Sequence, residues 1–302
     1  MFAHALLILP DFGLILLGFL LFHRFGYERG FWSGLERLVY FVLFPALLFN
    51  SIVAAEYSLA ADGRLLLAAV GGLIAAAALG FAGRLVLRST PAPFFAACGQ
   101  TAFRYNAYLG LALAQSLAGG SGVAQIALIF AVCIPLANLI AVSTMARHSG
   151  DGLLRELARN PLVISTVGGL LANAAGLALP QFVAHALGRL GQASLALGLI
   201  CVGAALSLAG AAAHRAALAW FCAVKLLLFP LVVLALALLF ELPPAQARIA
   251  LLFAALPTAT TAYVLATRMG FDGAPVSFLI TAQTAASMLT LPLWVALAFW
   301  LF

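Results

Sequence analysis

Charge is the scarcest commodity in this chain. Only 8% of its 302 residues are Asp, Glu, Lys or Arg, and 65% are hydrophobic. Soluble domains carry about 25% charged residues, so a large water-soluble core is excluded and a polytopic helical membrane protein is indicated. The four cysteines, Cys98, Cys133, Cys201 and Cys222, all lie inside apolar stretches with no CxxC pair, which argues against a disulfide framework or a thiolate metal site. No HExxH and no Walker A pattern occurs, so neither a zinc hydrolase nor an ATP-driven pump is written into the chain. The histidines (His4, His23, His148, His185 and His214) sit at the edges of apolar runs or between them, leaving no mid-membrane base. A GGSG at residues 119–122 resembles an intramembrane serine-protease motif, but it falls in a connection. No metal and no cofactor is expected. The net charge of +6 is spread singly through short connections, with no basic run or aromatic-interleaved stripe, which excludes nucleic acid as a partner. The N-terminus lacks a basic n-region and its first apolar run is long enough to span, so no cleavable signal is expected.

What remains is apolar sequence in pieces of membrane-spanning length. About 20 apolar residues cross the hydrocarbon, and ten windows qualify: 2–22, 38–55, 65–87, 94–117, 122–145, 161–179, 190–210, 216–240, 248–267 and 274–301. Basic residues segregate by side. Odd-numbered connections hold Arg24, Arg29, Arg37, Arg84, Arg88, Arg147, Arg155, Arg159, Arg215 and Arg268, whereas even-numbered ones hold Arg64, Arg189 and Arg248. The positive-inside rule then puts the odd connections in the cytoplasm and both termini outside.

The longest polar connection, residues 146–160, lies near the midpoint and divides the chain into 1–145 and 161–302, five spans each. An odd number of spans per half reverses the second half, so any duplication is an inverted repeat, an arrangement typical of secondary transporters. Pro10 precedes Arg104 by nearly the distance at which Pro161 precedes Pro257. Spans four and nine are therefore equivalent, and both carry helix-disturbing residues at mid-span, FRYNAYLG and ALPTATTAY. Interrupted helices in matched positions point to a midplane binding site.

Arg104 is the sharpest single feature. It lies about ten residues, or about 15 Å, from either end of its span, and an arginine at a helix centre costs about 2.5–3.5 kcal/mol on insertion scales. It either meets an anion or bridges carbonyls freed by a broken helix. Asn106 tolerates left-handed backbone and offers its amide to a ligand or to a neighbouring helix, and Gly110 allows close backbone approach after the break. Pro257 removes a backbone donor. The hydroxyls of Thr258, Thr260 and Thr261 either re-satisfy that backbone or face a cavity, and a helix restarting there aims its N–H groups at a carboxylate. Asp11, after Pro10 in span one, is a proton-coupling group, a partner for Arg104 or Lys225, or a residue near the outer surface. Lys225, in span eight, has a stem long enough to reach the cytoplasmic interface. Asn50 with Ser51 in span two, and Gln283 in span ten, are further candidates for lining the site or for helix–helix hydrogen bonds.

Five stretches in order resemble the auxin efflux carrier family, bacterial relatives of the plant PIN-formed carriers. They are ILPDFGLILLGFLL, FPALLFNSI, FRYNAYLGLALA, RNPLVISTVGGLLAN and LPTATTAYVLATRMG with SFLITAQTAASMLTLPLW beyond it. The resemblance implies an all-α fold of two inverted five-helix repeats like that of sodium/proton antiporters, with broken helices four and nine crossing in a transport domain. That domain would move against a scaffold containing spans one, two, six and seven. It implies small organic anions as substrates, auxin-like acids or dicarboxylates such as malonate or malate, and maps the family's crossover asparagine to Asn106 and its crossover proline to Pro257. Ala112 stands where many members have proline. The alternative is a sodium- or proton-coupled symporter or antiporter of the same fold with another substrate. The expected partners are the substrate and the lipid bilayer of a bacterial inner membrane, with a homodimer left open.

Overall fold

A computed structural model describes residues 9–54, 59–145, 161–206 and 214–302. The midpoint connection, 146–160, lies outside the described residues. Among the described residues the regular structure is entirely helical: α1 (Leu9–His23), α2 (Arg29–Leu38), α3 (Phe44–Val53), α4 (Leu59–Val86), α5 (Ala92–Gly99), α6 (Ala107–Met145), α7 (Pro161–Ala174), α8 (Gln181–Ala204), α9 (Arg215–Ala223), α10 (Phe229–Leu239), α11 (Pro244–Ala255), α12 (Thr261–Arg268) and α13 (Ala274–Leu301). In hydrocarbon the backbone must satisfy itself, which is why apolar sequence of this kind folds as helix. Among the described residues six helical stretches are long and apolar enough to cross a membrane: Arg29–Val53, Asp62–Val86, Ala92–Met145, Gln181–Ala204, Arg215–Leu239 and Ala274–Leu301. Shorter apolar helices cover Pro10–His23 and Ile164–Ala174.

Three departures from regular helix shape the molecule. Two are π turns, Val39–Leu43 joining α2 to α3 and Val224–Leu228 joining α9 to α10, each followed by Phe-Pro. Proline has no N–H and its ring crowds the carbonyl four residues back, and one wide turn accommodates both problems without ending the helix. In the second case the relief is visible. Pro230 cannot bond the Leu226 carbonyl, and the indole Nε1 of Trp294 on α13 donates to it instead at 2.9 Å. The third departure is Gly119, at φ 60° and ψ −148° inside α6, a conformation open essentially to glycine alone. A straight helix of the 39 residues of α6 would run about 58 Å. Instead, a Cβ at Gly122 would lie 2.6 Å from the Ala114 carbonyl oxygen. Residues eight apart in a straight helix are about 12 Å apart, so the chain doubles back at Gly119 into two arms, as expected for spans four and five.

The helices pack as two groups. α1 runs along α8, and α3 packs on both α7 and α8. Glycine makes this closeness possible: a Cβ on Gly18 would sit 1.9 Å from the Ile200 carbonyl oxygen, and one on Gly203 1.8 Å from that of Ile15. The second group joins α4, α10, α11 and α13, with α5 and α9 against them, and α6 touches both groups. An aromatic cluster fills the second group's centre, with Tyr105 stacked on Phe130 at 5.0 Å and edge-on to Phe253 at 4.7 Å.

Candidate functional site

The expected interruption of spans four and nine is present. Past α5 a 3-10 turn, Gln100–Ala102, leads into non-helical residues up to Asn106, where α6 begins. In the second half α11 ends at Ala255, Leu256 is extended at φ −59° and ψ 140°, and α12 restarts at Thr261. The two irregular segments cross in contact, with the Asn106 N–H donating to the Pro257 carbonyl at 2.8 Å. Gly110 permits this proximity, because a Cβ there would come within 2.7 Å of Leu256 Cδ1 and 2.8 Å of Phe130 Cζ.

Several backbone groups that lose their helical partners here find others, as buried peptide groups generally do. Continued helix would pair the Thr258 N–H with the Ala254 carbonyl. Instead Thr258 N donates to Gln283 Oε1 at 3.2 Å, and Ala254 O accepts from Lys225 Nζ at 3.2 Å. Gln283 Nε2 in turn donates to Thr101 O at 3.3 Å and Phe221 O at 3.5 Å. One carboxamide thus fastens both interrupted segments and α9. Gln283 joins the crossover through helix-to-helix bonds and is not among the residues lining the cavity between the two helix groups. Asn106 Oδ1 accepts from the N–H groups of Tyr108 at 3.1 Å and Leu109 at 3.2 Å, capping the start of α6. Those two donors are therefore spent within the protein.

Lys225 is fully buried, so the reach to the cytoplasmic interface that its stem allows is not taken. Its ammonium sits at the C-terminal end of α11, where the helix dipole is negative, and 4.2 Å from the Phe229 ring centroid. Arg104 is 7% exposed. Its Nη1 donates to Thr261 Oγ1 at 3.1 Å and its Nη2 to Asn138 Oδ1 in the second arm of α6. Its backbone N–H bonds Gln100 O, and Gln100 Nε2 reaches Ala262 O at 3.0 Å. Thr258 Oγ1 and Tyr105 Oη are buried with no hydrogen-bond partner among the described residues. Thr260 flanks α12 as its first non-helical neighbour, without a side-chain cap. Asp11 joins neither cation of the crossover: Ser116 Oγ donates to its Oδ2 at 3.5 Å. Ser116 is three residues before the Gly119 reversal, which puts Asp11 at the level of that turn.

A cavity of about 650 Å³ opens between the two helix groups. Its polar lining comes from α3 (Asn50, Ser51), α4 (Asp62), both arms of α6 (Gln115, Ser121, Gln125), α8 (Gln192) and α11 (Gln246). Of the residues expected at the site, Asn50 and Ser51 line it. Gln115 and Gln125, which flank the Gly119 turn, and Gln192 were missed, although amides are conspicuous in otherwise apolar runs. The floor is apolar. Leu47 and Leu195 line the cavity, and one turn deeper Phe44 stacks on Tyr108, centroids 4.6 Å apart and planes at 16°. Gly198 leaves room for that pair, since a Cβ there would lie 2.9 Å from Phe44 Cζ. Tyr108 is two residues from Asn106, so this stack lies beside the crossover at the start of α6.

A family model described as membrane transport protein matches residues 5–295. A protein of Rhizobium meliloti (strain 1021), named as a candidate malonate transporter, is 28% identical over 297 residues, covering 94% of this chain and 93% of that protein.

Proposed function

Because the chain belongs to the membrane transport protein family, that of the auxin efflux carriers, and is a transporter rather than an enzyme, we propose that it is a secondary carrier of small organic anions. The relative named for malonate makes short dicarboxylates the first substrates to try. The crossing of two interrupted segments, sealed by the Asn106–Pro257 backbone bond, is the observation that carries this reading. Such breaks put charged and polar groups where a continuous helix would offer only side chains. Arg104 contributes the cation, Thr258, Thr260 and Thr261 contribute hydroxyls, and Asn106 and Pro257 hold the geometry. Lys225 offsets the C-terminal end of α11.

In this proposal the chain crosses the bacterial inner membrane ten times, as two inverted halves of five, with both termini outside. The cavity lining supports the alternation. Residues flanking the second, fourth, sixth and eighth connections (Asp62, Gly120, Ser121, Gly188 and Gln246) meet around one opening. These are the arginine-poor connections, which fits an outward-facing cavity. The group of α1, α3, α7 and α8 serves as scaffold, and the crossover group moves against it in alternating access.

The direct test is labelled-malonate flux in proteoliposomes carrying Arg104→Gln and Arg104→Lys. Flux falls at least about tenfold in the glutamine variant, corresponding to about 1.4 kcal/mol, with partial recovery in the lysine variant. Unchanged flux of malonate and several other acids in Arg104→Gln defeats the anion-site role. The second reading, a sodium- or proton-coupled carrier of another substrate, is separated by imposing sodium or pH gradients across the same vesicles.

A further inference from the structure

The cavity's chemistry is unusual for a vestibule that admits anions. Its lining includes the carboxamides of Asn50, Gln115, Gln125, Gln192 and Gln246, two serine hydroxyls and one carboxylate, Asp62. Among the lining residues there is no Lys, Arg or His, and Asp62 is the one titratable side chain; on the same helices but outside the lining stand Arg64, whose Nη1 donates to Phe240 O, Arg248, over the Phe299 ring, and His185 and Arg189. Asp62 is held as an acceptor, with Gln246 Nε2 donating to its Oδ1 at 2.9 Å. Asn50, Gln115, Gln125 and Gln192 line the cavity, and none of their side chains hydrogen-bonds to another described residue.

A carboxamide presents one acceptor oxygen and an N–H donor side by side. A protonated carboxyl presents the complement, an O–H donor and a C=O acceptor, and the two close a two-point hydrogen-bonded pair. A carboxylate is acceptor-only. It can use the N–H groups but has no donor for the amide oxygens, toward which it turns its charge. We propose that this cavity is a substrate vestibule whose carboxamides take a carboxylic acid in its protonated form, a dicarboxylate arriving with one carboxyl still protonated. The inference rests on the organic-acid reading above and adds the substrate's charge state to it. The proton then travels with the substrate, and coupling to a pH gradient needs no titrating side chain at the crossover.

The test uses the purified full chain and two probes, malonate and its monoamide, malonamate. Malonamate matches hydrogen malonate in shape and keeps one negative charge throughout. Calorimetric titration is run from about pH 5 to about pH 8. The malonate affinity falls by about tenfold per pH unit once the second carboxyl ionises, while the malonamate affinity stays level. Gln192→Leu weakens both ligands at least about tenfold, whereas Gln192→Asn, which keeps the carboxamide, stays closer to the parent. A malonate affinity that is flat or rises with pH overturns the proposal and leaves the organic-acid reading intact, as does unaltered binding in Gln192→Leu. Absence of binding by malonate, malonamate and a panel of monocarboxylic acids at every pH overturns the organic-acid reading as well.

Discussion

At the level of single residues, the molecule is most informative where a helix lets go of a peptide group and a side chain takes it up. Trp294 does this for the Leu226 carbonyl that Pro230 cannot serve. Trp294→Phe keeps the ring and loses the donor. It leaves a buried carbonyl unpaired and costs about 1–3 kcal/mol, read as a lower unfolding midpoint in detergent. Gln283 offers a sharper comparison. Gln283→Leu strands the Thr258 N–H and takes away the donor to the Thr101 carbonyl, while the Phe221 carbonyl keeps the Val224 N–H. Gln283→Glu keeps an acceptor for Thr258 but can donate only when protonated. The leucine variant therefore loses more thermal stability than the glutamate variant at low pH, and the two converge as pH rises and the glutamate ionises. Thermal unfolding of both variants across pH checks this.

These partnerships mark the limit of what could be read from the chain alone. Arg104, Asn106 and Pro257 were identifiable because polar or helix-breaking residues are costly at mid-span. Their partners were not, because nothing in one span's sequence says which neighbour supplies its missing bond. Lys225 illustrates the point. A lysine near a span end reaches water in the simplest case, and only the proximity of the Ala254 carbonyl reverses that.

Among elements, glycine decides which helices can touch. Gly119 carries the reversal between the arms of α6, and Gly119→Ala forces a Cβ into a region costing about 1–3 kcal/mol. Because Gly120 and Ser121 line the cavity, that change reshapes the cavity rim and lowers malonate affinity along with stability, which titration and thermal unfolding together would detect. On α8, Gly203→Ala drives a methyl into the Ile15 carbonyl and must separate α1 from α8, since small residues are what let membrane helices approach. The expected result is greater protease sensitivity in α1 and α8. The apolar windows announced an all-helical chain, and among the described residues six helical stretches and two shorter apolar helices answer to the ten windows expected. Residues 248–267 were expected as one span, with a disturbance at ALPTATTAY; the structure divides them into α11 and α12. The π turns were not foreseen, although Phe-Pro after an apolar run is the shared feature.

For the whole molecule, the proposed movement of one helix group against the other passes through the Phe44–Tyr108 stack, where α3 meets the first arm of α6. In a background with the four native cysteines replaced, Phe44→Cys with Tyr108→Cys joined by a short bifunctional maleimide stops malonate flux, while either single cysteine treated alike retains it. Persisting flux in the joined protein argues against relative motion at this contact. The carboxamides of the cavity were the part least legible beforehand. They come from four helices far apart in the chain, and each amide alone reads as an ordinary interhelical bond.

The burial of Lys225 has a practical corollary. It is the chain's one lysine, and it is sealed against Ala254 and Phe229. An amine-acylating reagent can modify this side chain only during the moments when the surrounding helices part. The pace at which that mass increment accumulates on the Lys225 peptide is a chemical clock for core opening, and tight occupancy of the crossover should slow its ticking.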